Sequence, residues 1–184
     1  MKKLAVLLSV LAVLGFTATS FADPADDATA HVYVVVDPNI AVRALAASVD
    51  AGTVQVGSFS ATIPFRVDAN TEAVNIWVAC SQLYKGNDPA GTEVPPIGLF
   101  DGVKIAPTNA NPVKGGSNVA GYTGPGEVVE GFPTLVSNSI VFESSQNGHF
   151  SQDVGVTCSW FQNDPEKPMG EYSGVVKFYA EVVL

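Results

Sequence analysis

Apolar residues recur at every second position along much of this chain, the spacing of strands that keep one face dry. Ala28, Ala30, Val32, Val34 and Val36 share one parity, while Thr29, His31, Tyr33 and Asp37 fill most of the other. Asp37-Pro38-Asn39 stops that run, because proline cannot donate to a ladder and Asp and Asn favour turns. Phe59, Ala61, Ile63, Phe65 and Val67 then alternate with Ser58, Ser60, Thr62, Arg66 and Asp68. Pro64 falls on the polar side of this second run and predicts an edge strand or a bulge. Val74, Ile76, Val78 and Cys80 mark a third strand, Ile140 and Phe142 a shorter one, and Val154, Val156, Cys158 and Trp160 another. The chain closes with Val176, Phe178, Ala180, Val182 and Leu184, interleaved with Lys177, Tyr179 and Glu181.

No stretch predicts a long helix; Ile40 to Val49 is expected to form one or two turns at most. Lys85 to Pro133 differs in kind, with Pro95-Pro96, Asn111-Pro112 and Gly115-Gly116 among its many breakers. A structureless loop of that length is unusual, so short strands are expected near Ile97 to Phe100 and Gly102 to Ile105. The pattern predicts an all-β chain forming a two-sheet antiparallel sandwich. Cys80 and Cys158 both fall on the apolar parity of their strands, which suits a bridge between the sheets. Trp160 shares that parity and is expected in the core. Trp77 is off the parity of Cys80, so it is either loop-covered or exposed.

The start of the chain adds a destination. Lys2 and Lys3 precede an apolar run from Leu4 to Phe16, and Ser20-Phe21-Ala22 offers a cleavage site before Asp23. This is the layout of a secretory signal, too short for a spanning helix of ~20 residues. The reading divides the chain into a signal peptide over 1–22, an N-terminal extension over 23–39 and a sandwich domain over 40–184. Cleavage leaves 162 of the 184 residues, enough for one core. It also leaves 7 basic residues of the original 9 against 18 acids, a net charge of −11. Such a chain is repelled by nucleic acid, and none is expected as a partner. In an exported chain the cysteine pair is expected to be a disulfide.

Catalytic chemistry is not evident. Hydrolysis needs a nucleophile beside an organised base. The two histidines, His31 and His149, sit on a polar parity and in a turn-like Ser-Ser-Gln-Asn-Gly run, outside any nucleophile or zinc motif. Glu127 with Glu130, and Asp26 with Asp27, belong to no calcium-binding loop. The chain is therefore read as a non-enzyme with no cofactor, metal or catalytic residue. The first strand draws attention instead, since a terminal strand can pair with the open edge of another sheet.

At this point the chain resembles the pilins assembled by the chaperone–usher route, most closely the colonisation-factor (alpha-type) major subunits. Thr29-Ala30-His31-Val32-Tyr33-Val34-Val35-Val36-Asp37-Pro38-Asn39-Ile40 is similar to their N-terminal extension, which runs into Val-Asp-Pro-x-Ile. Gly170-Glu171-Tyr172-Ser173-Gly174-Val175-Val176 is similar to the approach to their closing strand. The cysteine pair and the long 85–133 excursion depart from that pattern. The resemblance implies an immunoglobulin-like sandwich lacking its last strand, completed by a neighbour's extension. It implies Ala30, Val32, Val34 and Val36 as donor contacts, with Ile40 as a candidate fifth. Val176, Phe178, Ala180 and Val182 would line the acceptor groove. The implied partners are further copies or other pilin subunits, a periplasmic chaperone, an outer-membrane usher and a host or surface receptor. The chain would then be exported through the periplasm to a fimbria at the cell surface. The alternative is a self-complete secreted sandwich that binds a ligand such as carbohydrate through 85–133, with Phe100, Tyr122 and Phe132 as contacts.

Overall fold

A computed structural model describes residues 30–183. The signal segment 1–22, Asp26, Asp27, Ala28, Thr29 and Leu184 lie outside the described residues. In chain order the strands are β1 (Ile40–Ala44), β2 (Gly57–Ala69), β3 (Ala73–Ser81), β4 (Tyr84–Lys85), β5 (Gly98–Leu99), β6 (Val103–Pro107) and β7 (Ala110–Pro112). They continue with β8 (Val119–Ala120), β9 (Tyr122–Val129), β10 (Phe132–Ser137), β11 (Ile140–Ser144), β12 (Phe150–Gln162), β13 (Tyr172–Ser173) and β14 (Val176–Val182). The described residues contain no α-helix, only a 3-10 turn at Val113–Gly115.

The all-β, antiparallel sandwich follows from the alternation. One sheet runs β1-β2-β12-β6-β8, with β5 also on β12. The other runs β7-β11-β3-β10-β9, with β14 on the far side of β3. A third, small sheet pairs β13 with β4. The long partners β2 and β12 align in full, from Ala69 opposite Phe150 to Gly57 opposite Gln162. Their inward parities, including Val67, Val154, Val156 and Cys158, meet Val74, Ile76, Val78 and Cys80 from β3 in one core. Phe65 stacks on Phe178 across that core, ring centroids 4.8 Å apart.

Three sequence expectations change. The segment from Ile40 to Val49 forms no helical turn. Its first part, Ile40–Ala44, is strand β1, because β2 offers it a ladder and a segment containing β-branched Ile40 and Val42 suits one. Ile40 packs against the core from β1, which removes it from the donor set. The second run, β2, is an interior strand from Phe65 to Ala69, with β1 on one side and β12 on the other, and an edge from Gly57 to Ile63, so the expected edge holds for one half only. Pro64 is tolerated there because its carbonyl accepts from Leu45 N at 2.9 Å, at the last step of the β1 ladder, where no N–H of its own is needed. Finally, residues 30–36 carry no strand. A strand exists only through a partner for its backbone, and none of the described pairings includes these residues.

The expected short strands inside 85–133 are present as β5 and β6, joined by β7, β8, β9 and the start of β10. The Gly-x-Tyr-Ser-Gly motif has a local reason. A Cβ on Gly174 would stand 2.6 Å from Gln82 O, so only glycine lets the chain pass this close to β3. Val175 N then donates to Ser81 Oγ at 2.8 Å and Ser81 N to Val175 O at 3.0 Å, which starts β14 in register.

Candidate functional site

Strand β2 carries one inward apolar parity along its whole length, yet its ladder is complete at only one end. Pairing with β1 runs from Ile40–Ala69 to Ala44–Phe65 and stops. Leu45 N to Pro64 O and Asn70 N to Asn39 O fix the alternation: even-numbered residues of β2 aim their backbone groups toward β1. Beyond Pro64 the same groups on Ser58, Ser60 and Thr62 have no strand beside them among the described residues.

A similar count applies to β14. Val183 N to Ala73 O and Ser81 N to Val175 O make the odd-numbered residues the ones bonded to β3. The backbone groups of Val176, Phe178, Ala180 and Val182 therefore point to the outer side of β14, where no further strand pairs among the described residues. The open stretch of β2 and the first two residues of β14, Val176 and Lys177, line one groove of about 1920 Å³. Its apolar lining includes Phe59, Ala61, Ile63, Phe65, Trp160 and Val176. Every residue of the segment 46–56 also lines it, and Ala51 packs against the core.

Of the four residues expected to line an acceptor groove, the structure brings only Val176 into this cavity. Phe178 is buried, and Ala180 and Val182 pack against the core. The lining residues of β2 were visible in the sequence as a strand face. What marked them as a groove, the end of β1 at Ala44, has no periodic signal. Of the expected donor residues, Val32, Val34 and Val36 are 92%, 85% and 74% exposed, and Ala30 is exposed as well.

The cysteines meet as expected but as free thiols rather than a bridge. Cys80 Sγ and Cys158 Sγ lie 2.6 Å apart, both fully buried, one from each sheet. The Cys158 thiol is pushed up by its hydrogen bond to Cys80 and by burial. Tyr122 lies against the pair; burial first, and then the two sulfurs, push its phenol up, and its hydroxyl has no hydrogen-bond partner. Trp160 is in the core, as expected, and its Nε1 donates to Ser81 O at 3.0 Å.

Trp77 is neither loop-covered nor fully exposed. It stands on the outer face of its sheet, half-buried and stacked on Tyr179 with ring centroids 5.3 Å apart. Beside it, Glu127 accepts from both Lys177 Nζ and Tyr179 Oη, so β9 is tied to β14 across the face. Glu127 is thereby employed structurally, and its carboxyl is held below the usual range by Lys177 and Tyr179. Among the loop aromatics proposed for ligand contact, Phe132 is buried and Tyr122 packs on the core; Phe100 is 41% exposed beside Phe161. His31 and His149 are exposed. Among the described residues no three His, Cys, Asp or Glu side chains gather where a metal ion would sit. No family model matches the chain, and no curated protein matches it.

Proposed function

We propose that this chain is an exported structural subunit of a surface fimbria, an immunoglobulin-like sandwich that polymerises by strand donation. One observation carries the reading: β2 keeps its apolar parity past the end of β1, so that Phe59, Ala61 and Ile63 line a groove while Ser58, Ser60 and Thr62 meet no strand on that side among the described residues. The bare stretch from Gly57 to Ile63 is seven residues, about 23 Å of strand. The segment Ala30 to Val36 has the same length and the alternating face such a groove takes. Each large side chain seated there contributes roughly 1.5–3 kcal/mol before ordering costs, and backbone pairing adds to it. The donor is the segment of a second copy or of a related subunit. An open groove of this kind needs a protective partner before assembly, which supports a periplasmic chaperone and an outer-membrane usher. A receptor at the host or another surface would be met by the assembled fibre.

The test is a single substitution in the donor face. Val34→Asp places a charge where an apolar residue must be buried. The chain from Asp23 is expected to form rod-like polymers seen by electron microscopy and light scattering, and V34D to remain unpolymerised. A wild-type chain that stays a stable monomer at all concentrations overturns the reading. Of the aromatics named for the self-complete, ligand-binding alternative, Tyr122 packs on the core, Phe132 is buried at the lining of the same groove and Phe100 is exposed.

A further inference from the structure

The inward parity of β1 is Ile40, Val42 and Ala44, the residues opposite Ala69, Val67 and Phe65. Continued past Ala44, the same register would set Ala46 opposite Ile63, Ser48 opposite Ala61, Asp50 opposite Phe59 and Gly52 opposite Gly57. Length does not prevent this. Residues 46–52 match the bare stretch Gly57 to Ile63 one for one, and Thr53-Val54-Gln55-Val56 would remain as a four-residue hairpin loop, a common length. The backbone does not prevent it either. Pro64 has no N–H to return to Leu45, but Thr62, Ser60 and Ser58 have theirs on the side that faces β1.

The side chains do prevent it. The inward positions pass from Ala46 to Ser48, Asp50 and Gly52, so continued pairing would carry a carboxylate onto Phe59 inside the groove and strip it of water. A one-residue slip would turn Ala47, Val49 and Ala51 inward instead, but Leu45 N already donates to Pro64 O in the β1 register, and the slip needs a bulge beside it. The chain turns away at this point. Ser48 and Asp50 are exposed, Asp50 Oδ1 accepts from Gly52 N at 2.8 Å, and Gly52 has a positive φ of 82°. Among the described residues that internal bond is the only hydrogen bond of 46–56. Ala51, of the opposite parity, is the residue that packs against the core.

We infer that Ser48 and Asp50 keep the acceptor edge open: they deny β1 its continuation, so that the missing strand has to come from another chain. The inference rests on the strand-acceptor reading above. The donor segment is the complement, because Val32, Val34 and Val36 supply the apolar parity that 46–52 lacks. The two segments compete for one edge of β2, and two side chains decide between closure within the chain and pairing with a neighbour. A segment held by one internal hydrogen bond yields readily when a donor arrives.

The experiment uses the chain from Asp23 carrying V34D, which disables its own donor, with and without Ser48→Val and Asp50→Val together. In the substituted chain the amides of Ala47, Val49 and Ala51 should become protected from hydrogen exchange, and the urea midpoint should rise. A fluorescent synthetic peptide of residues 28–40 should bind it roughly tenfold more weakly than the parent chain, since a closed edge lowers the competent fraction. Ser48→Thr with Asp50→Thr, neutral but less apolar, guards against aggregation of the valine pair and should shift both readouts the same way by less. Amides that stay unprotected in both variants overturn the inference, whatever the peptide does. Protected amides with unchanged peptide binding overturn the competition and the acceptance of a donor at β2. Peptide that fails to bind the parent chain overturns strand acceptance, while protection of Ala47, Val49 and Ala51 still decides the role of Ser48 and Asp50.

Discussion

The two halves of β2 have the same alternating sequence and different surroundings. From Phe65 to Ala69 the strand has β1 on one side and β12 on the other, and Phe65, Val67 and Ala69 are buried. From Gly57 to Ile63 it has β12 alone, and Phe59 and Ile63 are only half-buried. Among the described residues the sandwich is completed by β1 at one end, while the apolar face at the other end is met by the irregular segment 46–56 and by no further strand. Hydrophobic patterning specifies which face of a strand is dry; a partner is still needed to dry it.

The largest expected effect separates these two ends by stability. Phe142 is fully enclosed where β11 pairs with β3, away from the groove. Phe142→Ala should cost about 3–5 kcal/mol through lost burial and the cavity left behind. Ile63→Ala, at the groove, should cost about 1 kcal/mol in the lone chain, because less burial is lost. Urea unfolding of both variants checks the ranking. With saturating donor peptide present, the Ile63→Ala deficit should grow and the Phe142→Ala deficit should not. Equal costs in the lone chain would mean that the groove end is as closed as the other.

Backbone substitutions give the next effect. Arg43 lies in the closed ladder opposite Arg66, and by the alternation set at Leu45 its N–H is bonded across to β2. Arg43→Pro should cost about 1 kcal/mol or more for that lost bond. Ser60 has the same kind of N–H facing an edge with no strand. Ser60→Pro should leave the lone chain within about 0.5 kcal/mol of wild type, in line with the natural Pro64 on the same parity. It should nevertheless weaken donor-peptide binding several-fold, read by fluorescence titration. A Ser60→Pro chain that unfolds as readily as Arg43→Pro would show that the edge is already paired.

Much of the fold was legible in the alternation. The strand faces of β2, β3, β12 and β14 and the meeting of Cys80 with Cys158 all follow from parity, since one inward face in two dictates the core. Strands β9 and β10 were hidden: Tyr122-Thr123-Gly124-Pro125-Gly126-Glu127 has no apolar period, and it becomes a strand because β10 pairs with it through a bulged register. The Ile40 segment read as helical because Ala and Leu are good helix formers, and the ladder offered by β2 outweighed that weak preference. The groove itself was the least legible. It depends on where β1 stops and on the path of 46–56, and neither leaves a periodic trace. The alternating face of Val32, Val34 and Val36 stood out in the sequence, although no described strand pairs with it.

The smallest expected effect lies on the outer face, where Glu127 ties β9 to Lys177 and Tyr179 on β14 beside the groove wall. Glu127 and Lys177 are both exposed and Tyr179 is half-buried, so the ion pair adds little to stability near neutral pH. Its pH dependence has a definite sign. Lys177 and Tyr179 hold the Glu127 carboxyl below its ordinary value, so the native state binds its proton less readily than the unfolded chain does. The associated stability is present above the unfolded carboxylate range and is lost as pH falls through the lowered folded value. Glu127→Gln removes that contribution at neutral pH and has none left to remove in strong acid. The urea midpoints of wild type and Glu127→Gln should therefore differ slightly at pH 7 and draw together as pH falls through the lowered folded value of the carboxyl. Raising the salt at pH 7 should shrink the same difference, as screening predicts for an exposed pair. A gap that persists unchanged through acid and salt would assign Glu127 a role in packing, and would move β14 from the tethered edge of an open groove into the closed half of the comparison.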